Sequence, residues 1–449
     1  MVTERASNGY AQIQSLTLTI RGRQNGPECP QERVARHTAD STEREAIMKN
    51  NTLSRSGARL AAALGATAIS AALLLSGASS FAQEDNVQIG LVTPMAGANA
   101  RFGGFALRGM ELAIKEINEA GGVNGRMLEL SYGDSQCAPV EGVSATRRLI
   151  ESNEVDFILG DVCSSVTLAM QPIVEEAGVL LLNAASSNPQ ITYGAGVGGF
   201  EWTFRNYITD EIRARAVQQF AYENRGYTKF AVLSVDSDFG RGAINFARKY
   251  LPEFNGEIVS EDYYREGEVD FRSVLTKIKN SGAEAIIMYG LGDTTPVIGR
   301  QMIELGMAGK IPLIGDGEFN ASNTLKAAGK AMEGAIQAIF WLPTLDSERS
   351  LEFVENYKAE YGGEEPNNHA YSHWDSTHLL AEAIKIAGSA EPEAVQAALE
   401  ENTFESAVGT VKFDDHHQAK LPMILLEIVD GEIQVVGSVE GDINYPPAN

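Results

Sequence analysis

Two short loops carry paired hydroxyls where a strand pattern gives way to a helix pattern. DVCSSVT places Ser164 and Ser165 there, and NAASSNPQIT places Ser186 and Ser187. At a helix start the first backbone N–H groups lack partners and the helix dipole is positive, so a carboxylate docks without a lysine or arginine. The plainer role for such serines is to cap their own helices; two such loops on neighbouring strands favour an anion site. Further along, YGLGDTT and IGDGEFN offer Asp293, Asp316 and Glu318, carboxylates that suit an ammonium. Hydroxyls opposite carboxylates describe a zwitterion.

Strands and helices must hold those loops. From Val87 the chain alternates the two: VQIGLVTPM (87–95) is a buried-strand run, and GFALRGMELAIKEINEA (104–120) carries apolar residues at helical spacing before Gly121 and Gly122. MLELSYGD, a helix over 144–151, DFILGDV, a helix over 165–177, and VLLLNAA follow. After residue 205 the order repeats as KFAVLSVD, a helix over 241–251, EIVSEDYY, a helix over 270–280, AEAIIMYG, a helix over 295–305, and IPLIGDG. Short β-rich runs separated by helices are crossover units, so the fold class is α/β with two doubly wound parallel sheets. The halves also share details. Phe102-Gly103 and Phe239-Gly240 each open the helix after a half's first strand, and Asn124-Gly125 and Asn255-Gly256 close those helices. Ligands of open α/β sheets bind at the carboxyl ends of strands. Two such sheets facing each other would set Phe102 and Phe239 on opposite walls of one cleft; the alternative is that the rings fill separate cores.

The chain has 449 residues, 36 Lys+Arg against 60 Asp+Glu, and 44% hydrophobic residues. That is enough for two or three domains with real cores, which excludes disordered and disulfide-stapled miniature classes. The acidic balance disfavours a nucleic-acid partner. From Met48 the sequence has a basic start (Lys49, Arg55, Arg59), an uncharged apolar stretch from Leu60 to Leu75, and SGASSFAQ, with Ser80 and Ala82 flanking a cut after Ala82. This is the pattern of a secretory signal peptide over 48–82. Residues 1–47 are polar and without periodicity, and read as a tail from an upstream start or a disordered extension. Removing residues 1–82 takes away nine basic and six acidic residues, leaving 27 against 54, a net charge of -27. Cys29 leaves with them. Cys137 and Cys163 remain, in a compartment where a disulfide can persist.

The run from VQIGLVTPMAGANARFGGFALRGMELAIKEINEAGGVNGRMLEL, through CSSVTLAMQPIVEEAGVLLLNAASSNP, to FAVLSVDSDFGRG resembles the periplasmic binding proteins of branched-chain amino-acid ABC importers, the type I two-lobed solute receptors. The likeness spans residues 86–436. It implies a hinged clamp that closes on a small amino-acid-like ligand and delivers it to permease subunits, with Cys137 bonded to Cys163. It further implies that Ser164, Ala185 and Ser187 hold the ligand carboxylate and amine, between Phe102 and Phe239. Three crossings between lobes are expected near Asn206, Ala338 and Asp414. Lobe one then comprises 83–206 plus 338–413, and lobe two 207–337 plus 414–449. The sequence departs from the family where branched-chain binders often have a tyrosine, here Gly292, and where they have a glutamate, here Gly317 between Asp316 and Glu318. The space at Gly292 admits an amide, a urea-like compound or an aromatic acid.

Other chemistry fares worse. GAGVGG (194–199) precedes a strand pattern, which is the wrong context for a dinucleotide fingerprint. Asp236, Asp238 and Gly240 begin like a calcium loop whose twelfth position is Ala247. His369 and His373 have helical spacing suited to zinc, but without a protease glutamate they read as surface or capping residues. His416 and His417 read as a polar turn. A Cys163 nucleophile lacks a nearby histidine, and no G-x-S-x-G elbow follows the leader. The expected protein is a periplasmic, monomeric transport receptor without cofactor, metal or enzymatic activity. A sensory receptor domain of the same fold is the rival class.

Overall fold

The computed structural model describes residues 86–446 other than 292, 440 and 442. The expected leader, its cut after Ala82, the 1–47 tail and Gly292 lie outside the described residues.

The first five strands are β1 (Val87–Thr93), β2 (Leu128–Asp134), β3 (Phe157–Gly160), β4 (Leu180–Asn183) and β5 (Thr203–Arg205). They form a sheet in the order β2-β1-β3-β4-β5, every neighbouring pair parallel. Helices α1 (Ala100–Glu119), α2 (Pro139–Asn153), α3 (Ser164–Ala177) and the short α4 (Gln190–Tyr193) make the crossovers. FILG in β3 and LLLN in β4 are buried at every position, as a parallel sheet covered on both faces requires. Each such leucine or isoleucine contributes roughly 1.5–3 kcal/mol of burial.

The second half repeats the plan. Helix α5 (Asp210–Arg225) leads into β6 (Lys229–Val235), α6 (Asp238–Tyr250), β7 (Glu257–Tyr264), α7 (Arg272–Lys279), β8 (Ala285–Tyr289), α8 (Thr294–Glu304), β9 (Leu313–Asp316), α9 (Ser322–Ala328) and β10 (Ile336–Ile339). Helices α10 (Glu348–Glu360), α11 (Asn368–Ala387) and α12 (Pro392–Glu401) follow, then a β11 (Phe404–Ser406) and β12 (Gly409–Val411) hairpin, and finally β13 (Met423–Val429) and β14 (Glu432–Val439). The second sheet runs β14-β13-β10-β9-β8-β6-β7. Its β13 and β14 are antiparallel, an addition to the parallel plan at one edge.

In both sheets the strand order reverses beside the half's first strand, β1 or β6, and that switch point is where open α/β sheets form a ligand crevice. The repeated Phe-Gly explains itself there. A Cβ on Gly103 would stand 1.8 Å from the Pro94 carbonyl oxygen, and one on Gly240 would stand 2.1 Å from that of Val235. Only glycine lets the first turn of α1 or α6 close down on the end of its strand, and the preceding phenylalanine is thereby carried to the crevice.

The chain passes three times between the sheets. The first passage begins at Asn206, whose Nδ2 donates to Asp375 Oδ2 and Ser376 Oγ, both at 3.1 Å. The third lies around Asp414 and is tied to the first: Arg205, wholly buried, donates to Gln418 Oε1 at 2.5 Å, and Gln418 Nε2 donates to the Tyr207 carbonyl at 2.8 Å. The second falls later than expected. Ala338 is inside β10, paired with Leu425 of β13, so the chain leaves this sheet only after Ile339. IQAI is buried at all four positions, and a short apolar run looks the same in sequence whether it spans a hinge or fills a sheet.

Cys137 and Cys163 are bonded, their Cα atoms 5.5 Å apart and 26 residues apart in sequence. The bond fastens the turn after β2 to the start of α3 and contributes about 3.5 kcal/mol in the chain-entropy treatment.

Candidate functional site

A cavity of about 30 Å³ lies where the carboxyl ends of the two sheets meet. Junctions between a strand and the next helix supply most of the walls. Phe102 follows β1, Val162 follows β3, and Ala185 and Ser187 follow β4; from the other side come Phe239 after β6, Gly290 and Leu291 after β8, and Asp316 and Glu318 from the end of β9. The volume holds about two waters, so the cleft is drawn nearly shut, and an organic ligand enters only if the lobes part.

Of the residues singled out in sequence, Phe102, Ala185, Ser187, Phe239, Asp316 and Glu318 line this one cavity. Phe102 and Phe239 are both buried, which joins the two alternatives for them: each packs into its own lobe and also faces the cleft. Ser164, Ser165, Ser186 and Asp293 stand beside the cavity and are otherwise engaged. Ser164 Oγ accepts the Asn188 N–H at 3.3 Å. Ser165 Oγ accepts the Asp238 N–H at 3.2 Å, from the other lobe. Ser186 Oγ donates to the Asp161 carbonyl at 2.7 Å. None of the three caps its own helix, the plainer role expected for them; each instead ties its loop to a neighbouring one. Even Ser187, inside the cavity, donates its hydroxyl to Asp210 Oδ2 at 2.9 Å.

Two arginines that the sequence reading missed hold the carboxylates. Arg213 of α5 is buried between Asp210, 2.9 Å from its Nη1, and Asp316, and Gln337 Nε2 donates to Asp316 Oδ1 at 2.9 Å. Arg101, at the start of α1, reaches from the first lobe to Glu318 Oε2 at 2.8 Å and to Asp293 Oδ1 at 3.1 Å. Its guanidinium stacks 4.8 Å from the Phe102 ring centre. Glu318 Oε1 also accepts from Asn367 Nδ2 at 3.3 Å. Burial raises the carboxyls of Asp316 and Glu318, against the pull of Arg213 and Arg101 respectively, and raises Asp210 to about 6, again opposed by Arg213. Arg101 and Arg213 between them hold four carboxylates, Asp210, Asp293, Asp316 and Glu318, of which Asp316 and Glu318 line the cavity.

Helix α11 closes the cavity. Its N-cap Asn367 accepts the His369 and Ala370 N–H groups, each at 3.0 Å, and Asn368 and His369 join Tyr207 in the lining. The surface or capping role expected for His369 and His373 is overturned. Every residue from His369 to Thr377 is buried, because α11 packs on α1 along one side and its first turn meets the cleft. Burial lowers His369 to about 3 and His373 to about 4, so both are neutral. The His416 and His417 turn is as expected, although His417 is buried flat against Phe204, ring centres 3.9 Å apart. Among the described residues no group of three or more His, Cys, Asp or Glu could hold a metal ion, and no helix is long and apolar enough to cross a membrane.

Known proteins share this architecture. The family described as periplasmic binding protein matches residues 86–432. The Leu/Ile/Val-binding protein homolog 1 of Brucella suis is 29% identical over 354 residues, 78% of this chain and 92% of the relative. A branched-chain amino acid transporter substrate binding protein from Streptococcus pneumoniae, solved with isoleucine, superposes with a TM-score of 0.72 at 25% identity, covering 79% of this chain and 100% of that one. A solute binding protein of an ABC transporter from Rhodopseudomonas palustris, solved with 3,4-dihydroxybenzoic acid, does so with a TM-score of 0.71 at 25% identity, covering 80% and 99%. With its two sheets, switch-point cleft and three passages, the chain belongs to the periplasmic binding protein family, the two-lobed solute receptors of ABC transporters.

Proposed function

We propose that the protein captures an amino acid, or a related small carboxylate or amide, between its lobes and delivers it to a membrane permease, as a receptor and not a catalyst. The polarity of the cavity carries this reading. On the first-lobe side Ala185 and Ser187 sit beside the first turn of α3, whose N–H groups and dipole suit a carboxylate. On the second-lobe side Arg101 and Arg213 face four carboxylates, Asp210, Asp293, Asp316 and Glu318, which calls for more positive charge, and His369 is neutral. An ammonium supplies it. The names and ligands of the Brucella and Streptococcus relatives support the amino-acid reading.

An aromatic acid is the second reading, favoured by the rings of Phe102, Phe239 and Tyr207 around one cavity and by the Rhodopseudomonas relative. In either case the protein acts as a monomer in the periplasm, exported by the segment over 48–82 and cut after Ala82, with ABC permease subunits as partners. A thermal-shift screen over amino acids, amides and aromatic acids tests this. A ligand at 100 times its Kd adds about 2.7 kcal/mol to the folded state and raises the melting temperature. A flat response across all three classes refutes the reading.

A further inference from the structure

The cavity has more hydrogen-bonding capacity than a bare carboxylate and ammonium would use. His369 lines it at 7% exposure, and its Nδ1 makes no hydrogen bond among the described residues. Its Nε2 is 3.9 Å from Glu318 Oε1, beyond hydrogen-bond reach. A neutral imidazole has one donor and one acceptor nitrogen. Tyr207, on the same wall, accepts from Asn368 Nδ2 at 2.8 Å, which leaves its hydroxyl hydrogen to be donated. The two rings lie nearly parallel, 6.4 Å apart, on a wall otherwise closed by Phe102, 5.1 Å from His369.

Resting on the carboxylate-receptor reading, we infer that the ligand's far end carries a group that both donates and accepts a hydrogen bond, a hydroxyl or a primary amide, received by His369 and Tyr207. An alkyl end would leave two buried polar groups unpaired, which costs the desolvation of each. A second carboxylate would bring a like charge to Asp316 and Glu318. A site built to hydrogen-bond a hydroxyl discriminates sharply against the isostere that lacks one.

Isosteric pairs test this. The full chain is titrated calorimetrically with threonine against valine, and with 4-hydroxybenzoate against 4-methylbenzoate, alongside the His369→Leu variant. In each pair that binds, the hydroxylated member is expected to bind at least about tenfold more tightly, and the advantage is expected to disappear in His369→Leu. If that variant does not fold, Tyr207→Phe, which removes only a hydroxyl, takes its place. A methyl-bearing member that binds as tightly as its partner overturns the inference and leaves the carboxylate-receptor reading standing. A hydroxyl preference that persists in the variants overturns the assignment to this wall. Binding by none of the four overturns the inference, and the carboxylate-receptor reading falls with it only if the thermal-shift screen is also flat.

Discussion

Asp161 sits beneath the turn into α3, its Oδ1 accepting the Cys163 N–H at 2.6 Å, and burial pushes its carboxyl from 3.8 up to about 7. A carboxyl raised in the folded state stabilises most at low pH, and the contribution is lost as pH rises to about 7. His369 and His373 act in the opposite sense. Burial lowers them from 6.5, so their contribution is full above 6.5 and is lost as pH falls towards about 3 and 4. Removing the Asp161 carboxyl therefore exposes the histidines. Asp161→Asn should lose stability on acidification between roughly pH 4 and pH 7 faster than the parent, by about 1.4 kcal/mol per pH unit. Urea titrations at several pH values read this, and parallel slopes would contradict it. Among the residues lining the cavity, Phe102, Ser187, Phe239, Asp316 and Glu318 were legible from their place at a junction between strand and helix, from the repeated Phe-Gly and from the family resemblance. Arg101 and Arg213 were not, since their roles come from partners 217 and 103 residues away in sequence. Only Asp210, three residues before Arg213, is a partner close in sequence.

Helices α1 and α11 belong to distant parts of the chain and pack closely in the first lobe. The approach is close at Gly109, where a Cβ would stand 2.0 Å from the Ala370 carbonyl oxygen. The obstacle is backbone, which cannot swing aside as a side chain does. Gly109→Val should cost about 3 kcal/mol or more, measured by denaturant unfolding; a change below about 1 kcal/mol would show that the helices separate freely. The alternation of elements up to β9, apart from α5, could be read from periodicity, because each strand and helix shows its own period. The pairing of α1 with α11, the place of IQAI as β10, and the antiparallel β13 and β14 could not, since local periodicity does not say which neighbour an element will find. The repeated Phe-Gly was visible as a likeness, and the strand-end carbonyl it accommodates gives the reason.

The lobes are held together by contacts that no single lobe can make. Arg101 spans the mouth to Asp293 and Glu318, Ser165 Oγ receives the Asp238 N–H, and Asn188 Nδ2 donates to the Asp238 carbonyl at 2.6 Å. Ligand binding draws on such closed-state contacts to offset the lost freedom between lobes. Glu318 is largely buried, so its pairing with Arg101 is screened less than a surface ion pair. Arg101→Gln should leave the association rate of the screen's strongest binder nearly unchanged and speed its release by about tenfold; equal release rates by stopped-flow fluorescence would remove Arg101 from the closure mechanism. The -27 charge of the chain beyond Ala82 lies outside this balance, since the cleft's carboxylates are each held by an arginine. The central claim is that the ligand is held between Ser187 on one lobe and the carboxylates of the other. Calorimetric titration of the same ligand into the parent and into Ser187→Leu tests it most directly, because a leucine side chain overfills the 30 Å³ between the walls. The expected result is one-to-one binding to the parent and none to a variant that still melts cooperatively; equal affinity in the two would contradict the placement of the site.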